Sequence, residues 1–517
     1  MRIAVEGCTH GELEKTYQTI QQIEEQEGTK VDLLLCCGDF QSTRNLSDLA
    51  CMACPDKYKS MCSFYKYYSG EAIAPVLTIF IGGNHEATNY LQELAYGGWV
   101  APNIYYLGYA GVVEVNGIRI GGLSGIYKGF DYLHGHYEKP PYDDNSMRSA
   151  YHIRNVDVFR LKQLADMSPD IMLSHDWPRS VTKHGNVEKL LRFKKHFRED
   201  VEQDRLGSPP AKDIMDTLQP PYWFSAHLHC KFAALVPYAE TNKTTKFLAL
   251  DKCLPRRQFL QVVTIGPPIT NDEVVLRYCP AWLAILKSTS HLLSVEKKPR
   301  YTPGPGSAER WDFRPTEGEI EEIRNIMKND FEIPYNFEQT ALSFKPTGQK
   351  PNLRNVPRPQ ATTNNQTTAF CSKLRILDPM ALLLGRGGQE GCKPSGASSN
   401  WSSHKQSVSE EEQKVERDIS VNNSDEKDKE KKVSESEPVK VGVPLAIPAP
   451  KVKSSNDDFL AVIESLGSDV KCDNSDGPND LFVIDKSGDA VKPEENDIPE
   501  VPVKKLKRRN AALYASE

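Results

Sequence analysis

Five short polar clusters constrain the fold of this chain more than any other feature of it. They are Cys8-Thr9-His10, Gly38-Asp39, Gly83-Asn84-His85-Glu86, Ser174-His175-Asp176 and Ala226-His227-Leu228-His229. Most follow a short apolar run: residues 3–5, 31–37, 76–81, 171–173 and 222–224. A run of that length, bounded by Gly and polar residues, reads as a buried strand. Ligand-type residues at the carboxyl ends of several strands of one α/β sheet converge on one crevice. Cys, His, Asp, Asn and three more His in such places point to a metal site, and to an enzyme.

The 517 residues leave room for one large domain and a second unit or a tail. The 39% hydrophobic content is unevenly spread, rich up to about residue 290 and poor beyond about 345. A net charge of -6 gives no global polycation of the kind that announces nucleic acid, though a local basic or aromatic surface stays open. The twelve Cys have no regular spacing. No basic-apolar-small signal opens the chain and no apolar run nears the roughly 20 residues of a membrane helix. The expectation is no membrane, a reducing cytosolic or nuclear home, and no disulfides. Cys51 and Cys54 could form half of a zinc site with Cys62 or the Cys36-Cys37 pair; buried free thiols are the plainer reading.

The periodicity predicts a strand at 2–5, a helix at about 12–27 and strands at 32–37 and 76–81. A largely helical insertion at 43–70 and a helix at 86–95 complete the first third. Asn116-Gly117 predicts a hairpin between 112–115 and 118–120, because both positions tolerate positive φ. Further on come a helix at 155–167, a strand at 171–174, helical basic segments at 187–200, and strands at 222–226, 231–236, 246–250 and 259–265. Residues 281–345, with Trp282, Leu283, Ile285, Leu286 and Trp311, are expected to pack onto a catalytic domain spanning 1–280.

Residues 346–517 are expected to form a disordered tail, since Ser, Asn, Glu, Lys and Pro bury too little apolar area to offset chain entropy. The islands 458–466 and 481–484 are weak candidates for partner motifs, through which RNA-processing factors could bind. The basic cluster 504–509 reads as a nuclear-import signal, against the plainer reading of a solvated charge run. The localisation expected is the nucleus, with shuttling to the cytoplasm left open.

Two divalent metals about 3.5–4 Å apart can clamp the attacking and leaving oxygens of a phosphoryl displacement. Such a site needs a bridging carboxylate, for which Asp39 is the natural candidate. His10 and His229 can serve one metal, and Asn84, His175 and His227 the other. His227 and His229 alternate along the chain, so they can share a site only where the segment leaves regular strand.

The order Cys-x-His, Gly-Asp, Gly-Asn-His-Glu, Ser-His-Asp, His-x-His resembles the calcineurin-like metallophosphoesterases. That superfamily usually opens on Asp-x-His, where this chain has Cys8. The departure is similar to the RNA lariat debranching enzymes, and so are Gly7-Cys8-Thr9-His10-Gly11, Cys37-Gly38-Asp39-Phe40-Gln41 and Ser174-His175-Asp176-Trp177-Pro178. The resemblance covers roughly residues 1–280. It implies a four-layer α/β/β/α sandwich and hydrolysis of the 2′,5′-phosphodiester of branched intron RNA. It also implies one metal pocket lined by Cys8, His10, Asp39 and His229, and another by Asp39, Asn84, His175 and His227. His85 would contact the scissile phosphate as electrostatic stabiliser and general acid, while metal-bound hydroxide attacks in line. A thiolate ligand favours Fe²⁺ or Zn²⁺ over Mg²⁺, so iron, zinc or both are expected, with Mn²⁺ able to substitute.

Residues 124–154 are dense in aromatic rings and Arg and lack apolar periodicity. They resemble the lariat-recognition loop of those enzymes, and unpaired bases are read by stacking and edge contacts. The expected substrate contacts are Tyr127, Tyr132, Tyr137, Tyr142, Tyr151, His152 and Arg154, against the plainer reading of a surface loop packed on the body. The rival functions are a DNA nuclease or phosphoprotein phosphatase on the same metal site, and a non-catalytic scaffold. A monomer is expected.

Overall fold

The computed structural model describes residues 1–267, 274–346 and 353–386. Among them, thirteen strands form two sheets. The strands are β1 Arg2–Glu6, β2 Leu33–Cys36, β3 Leu77–Phe80, β4 Gly98–Ala101, β5 Ile104–Tyr106, β6 Ala110–Val115, β7 Ile118–Leu123, β8 Ile171–Ser174, β9 Tyr222–Ser225, β10 Phe232–Tyr238, β11 Lys243–Ala249, β12 Leu260–Thr264 and β13 Leu276–Tyr278. The first sheet runs β12-β1-β2-β3-β5-β4 and the second β10-β11-β9-β8-β7-β6-β13. In the first, β1, β2, β3 and β5 are parallel; in the second, β7, β8, β9 and β11 are.

Alternation along the strands builds four layers. Ile3, Val5, Leu33, Leu35 and Ile79 face inward against Val113, Ile120, Ile171, Leu173, Phe224 and Leu248 of the second sheet. Ala4, Leu34, Cys36 and Phe80 face outward onto Leu13, Tyr17, Ile20 and Ile23 of the helix Leu13–Glu27. Val112, Met172, Trp223 and Phe247 meet Val158, Leu161, Ile214, Leu218, Trp282 and Ile285 on the opposite outer face. Strands buried on both faces read as continuous apolar runs, which is why they are visible in sequence. The β6–β7 hairpin turns on Asn116 and Gly117 at φ 48° and 81°, as that dipeptide predicts.

The single sheet implied by the strand-end argument is corrected to two. The runs that precede Cys8, Asp39 and Asn84 belong to one sheet, and those before His175 and His227 to the other. The tail boundary at 346 is corrected as well. The helices Asn365–Leu374 and Pro379–Leu383 are folded, and Cys371 and Leu374 sit in the core that contains Trp282. Gln366 donates to the carbonyl of Trp99 (2.9 Å) and accepts from its N–H (2.8 Å), so polar composition here is satisfied rather than solvated. The remainder of the expected tail, including 458–466, 481–484 and 504–509, lies outside the described residues.

A buried ion cluster joins the 43–70 insertion to the C-terminal segment. Arg44 pairs with Asp48 (2.7 Å) and Glu93 (3.0 Å), and its guanidinium lies 3.9 Å from the centre of the Tyr90 ring. Thr340 accepts from Arg44 (2.7 Å) and donates to Glu93 (3.1 Å), and Asn364 donates to Glu93 (3.3 Å). No helix among the described residues is long and apolar enough to cross a membrane.

Candidate metal centre

Each polar cluster is the loop that follows a strand. Cys8 and His10 follow β1, Asp39 follows β2, Asn84 and His85 follow β3, His175 follows β8, and His227 and His229 follow β9. The crevice therefore lies where the carboxyl ends of two sheets meet. His10, Asp39, His227 and His229 hold left-handed backbone, with φ of 47°, 48°, 62° and 49°. Non-glycine residues adopt this rarely, at a cost of roughly 1–3 kcal/mol each, and such strain gathers at functional sites. β9 ends at Ser225, and the turns at His227 and His229 remove both imidazoles from strand alternation.

The donor atoms of Cys8, His10, Asp39 and His229 all lie within 4.8 Å of one another. His10 Nε2 is 3.1 Å from His229 Nε2 and 3.7 Å from Asp39 Oδ2. On the other side of Asp39, His175 Nε2 stands 3.2 Å from Asp39 Oδ1 and 3.2 Å from Asn84 Oδ1. The His227 ring lies 4.9 Å from that of His175, and the His227 backbone N–H donates to Cys8 Sγ (3.2 Å). His85 is half-buried; its backbone N–H donates to Asp39 Oδ1 (2.8 Å) and its ring is 5.3 Å from that of His10.

This arrangement needs positive charge. His175 Nδ1 donates to the Cys37 carbonyl (2.8 Å), which leaves a lone pair on Nε2 of the neutral ring, aimed at two more acceptors. Asp39 Oδ2 is buried with no hydrogen-bond partner. Lone pairs facing one another in a dry site are costly unless a cation or a proton lies among them. In the metal-free chain the proton is favoured: burial lowers the pKa of His175, but the Asp39 carboxylate outweighs it and the net shift is upward. Burial alone would raise Asp39, yet His175, His85 and His10 hold it well below the usual carboxylate range. Burial pushes His10 and His227 down to about 4 and His229 to about 2, so all three are neutral imidazoles at pH 7, the form that binds metal. Burial and then the Asp39 charge push the Cys8 thiol well up, and a bound dication would reverse that. Imidazole, thiol and amide donors around one shared carboxylate fit divalent metals.

Two glycines permit the approach. A Cβ on Gly83 would lie 2.2 Å from Asp39 Oδ1, and one on Gly38, at φ 103°, would lie 2.3 Å from His175 Nδ1. Glu86 then binds the loops to each other. It accepts from the N–H groups of Phe40 (2.8 Å), Gln41 (2.9 Å) and Gly83 (3.0 Å). Burial and the Asp39 charge raise its pKa to about 7. Glu86→Ala would orphan three buried donors at about 1–3 kcal/mol each and loosen Asp39 and Asn84 together. The expected result is a lower melting temperature and metal affinity weakened by about 10–100-fold, read by thermal unfolding and metal titration. Unchanged affinity would show that the loops hold without it.

The 124–154 segment is built from inside. It contains the short helices Gly129–Tyr132 and Asp144–Ser149. Tyr142 and Arg154, expected as substrate contacts, are buried braces instead, while His152 is paired inward and also lines the cavity that Tyr151 lines. Arg154 pairs with Glu138 (2.6 Å), His152 with Asp131 (2.6 Å), and the Tyr142 hydroxyl donates to Gln92. Tyr127, Tyr132, Tyr137 and Tyr151 are partly exposed. Tyr151 lines one cavity with Gly83 and Glu86, and burial, with Asp39 adding to it, raises its pKa to about 12. Asp176 Oδ2 accepts from the Tyr127 backbone N–H (3.2 Å) and Oδ1 lies 4.0 Å from His227 Nε2, coupling segment to centre. Glu86 and Asp176 were given no role in the sequence, although each adjoins an expected ligand in its cluster. Among the described residues no other group of His, Cys, Asp and Glu converges, so Cys51, Cys54 and Cys62 do not assemble a second site.

The family model for calcineurin-like phosphoesterases matches residues 1–231, and that for the C-terminal domain of lariat debranching enzymes matches 242–379. The second match runs through the helix Asn365–Leu374, which composition had assigned to the tail. Lariat debranching enzyme of Drosophila melanogaster is 45% identical over 559 aligned positions, covering 100% of both chains. Lariat debranching enzyme A of Xenopus laevis is 54% identical over 73% of this chain and 71% of its own. The Homo sapiens lariat debranching enzyme is 51% identical over 73% and 70%.

Proposed function

Because the chain belongs to the lariat debranching enzyme family of calcineurin-like phosphoesterases, we propose that its crevice hydrolyses the 2′,5′-phosphodiester at the branch point of excised intron lariats, leaving linear RNA. It is a metal-dependent phosphodiesterase, and the family implies a divalent metal site. The observation that carries the reading is the convergence of Cys8, His10, Asp39 and His229 beside a buried Asp39 oxygen without a partner.

Cys8, His10, Asp39 and His229 would hold one metal, and Asp39, Asn84, His175 and His227 the other. Such a pair, when bound, supplies Lewis-acid charge and lowers the pKa of water. The chain does the rest. The Cys37 carbonyl and Glu86 orient His175, Asp39 and Asn84, so little reorganisation is left for the reaction itself. His85, anchored through its backbone to Asp39, would protonate the departing 2′-oxygen. Tyr127, Tyr132, Tyr137 and Tyr151 would offer ring faces to unpaired bases near the branch.

The soft Cys8 ligand favours Fe²⁺ or Zn²⁺, with Mn²⁺ as a substitute. Cys8→Asp is expected to move the requirement towards Mn²⁺ and Mg²⁺, read by metal analysis of purified protein and by activity after reloading. Wild-type protein carrying Mg²⁺ alone would overturn this assignment. The basic cluster 504–509 supports residence in the nucleus, with shuttling to the cytoplasm and RNA-processing partners on the tail.

The deciding experiment offers purified protein a short RNA with a 2′,5′ branch, a linear 3′,5′ RNA and a phosphopeptide. Cleavage of the branch alone is expected. Cleavage of linear nucleic acid or phosphopeptide, with the branch intact, would reassign the substrate and leave the metal centre standing.

A further inference from the structure

The crevice has two flanks. The aromatic segment is tied to the His175–His227 flank through Asp176. The His10–His229 flank is lined by cations from two other elements: residues 252–257, which follow β11, and the helix Val187–Phe193 with Lys194 after it. Lys252 forms a β-bridge with Cys8, and its charge reaches the imidazoles of His10 and His229. Gly185, just before the helix, bridges Ala234 of β10, and Leu190 and Leu191 of the helix belong to the same core cluster as Cys230, the residue after His229. The charges of Lys194 and Arg257 both act on the Cys230 thiol. Lys189 acts on Lys231 from the same helix, and Arg192 and Phe193, three and four residues on, share that face.

Few of these charges are neutralised by carboxylates, although Lys194 lies 5.7 Å from the centre of the Phe197 ring. Arg257 is paired with Asp251 at 3.1 Å. Arg192, Lys194, Lys252 and Arg256 have no acidic partner among the described residues, and residues 187–194 and 251–257 contain two acids, Glu188 and Asp251. Phe193 is 77% exposed in the midst of these cations, and Leu254 is 38% exposed. Clustered cations repel one another, so the fold gains nothing by gathering them. Cations with an exposed ring between them suit a single-stranded polyanion, whose phosphates meet the charges while a base covers the ring.

We propose that this strip is a phosphate track for the arm of the branched RNA that leaves the crevice on the His10–His229 side, opposite the aromatic segment. The proposal rests on the reading of the substrate as branched RNA. It makes the enzyme a two-flank binder: one flank reads bases near the branch, and the other holds backbone irrespective of sequence.

The test is the triple variant Arg192→Gln, Lys194→Gln, Arg256→Gln, checked for wild-type metal content and melting temperature. Two substrates are compared, a branched RNA trimmed to single nucleotides on each arm and one with arms of roughly ten nucleotides. On the long-armed RNA, KM is expected to rise about tenfold near physiological salt with kcat unchanged, and the slope of log KM against log salt to fall by about 2, or roughly 0.7 per lost phosphate contact. The trimmed RNA should show wild-type kinetics. Equal KM and slope for variant and wild type on the long-armed RNA would overturn the track and leave these cations to an acidic polypeptide. An equal loss on both substrates would overturn it too, because the strip would then act on the centre rather than on an arm. Failure of the wild type to cleave either branched RNA would instead remove the substrate reading beneath the proposal.

Discussion

Asp39→Asn is expected to abolish turnover and empty the metal centre in one step. The substitution keeps the shape of the side chain and an oxygen for the His85 N–H. What it removes is the charge that both halves of the centre share. Asp39 Oδ1 faces His175 and Oδ2 faces His10, so on the proposed two-metal reading each metal would lose an anionic ligand, and one would lose its oxygen altogether when the amide nitrogen takes that place. Losing even about 4 kcal/mol of charge stabilisation corresponds to roughly 10³-fold in rate. Metal content per chain and kcat on branched RNA would be measured together. Full metal occupancy with near wild-type turnover would show that Asp39 is not the bridge.

His85→Ala should separate the two quantities that Asp39→Asn removes jointly. His85 touches the centre through its backbone, and its ring lies near His10 without belonging to the convergent donor set. Turnover should fall by about 10²–10⁴-fold, the usual contribution of a positioned general acid, while metal content stays at the wild-type level. Loss of metal would make His85 a ligand. An unchanged rate would place the proton donor elsewhere.

Much of the frame was legible because strands buried on both faces leave continuous apolar runs and because ligand-type residues interrupt them at the ends. Ile171–Ser174 and the Asn116-Gly117 hairpin appear as the pattern predicts. Which run belongs to which sheet was not legible, since pairing depends on partners far along the chain; β1 takes β12 as a neighbour, with Ile3 opposite Val263. The resemblance supplied the second sheet where periodicity could not. Composition misread the 124–154 segment in part. Rings and Arg without apolar periodicity look alike whether they face solvent or are turned inward onto carboxylates, and Arg154 with Glu138 is the inward case. It also misread residues 364–386, where Cys371, Leu374, Ile376 and Met380 are buried and Gln366 is paired to the Trp99 backbone, a short apolar set that the polar average of the surrounding chain hid. Glu86 stood in plain view, but its task is set by three backbone N–H groups from two loops, and no sequence pattern displays those.

The division of the centre between two sheets has a consequence for how the protein is made. Cys8, His10, Asp39 and Asn84 leave the ribosome first, with His175, His227 and His229 still to be translated. At roughly 5–20 residues per second, the early half waits on the order of 10 s for its complement. During that interval a thiol, an imidazole, a carboxylate and an amide are present without the second sheet that shapes them. Such a partial set follows the general affinity order of divalent ions, in which copper outcompetes zinc and iron. On the two-metal reading, the full donor set would exist only once the segment from β8 through His229 has packed against the first sheet.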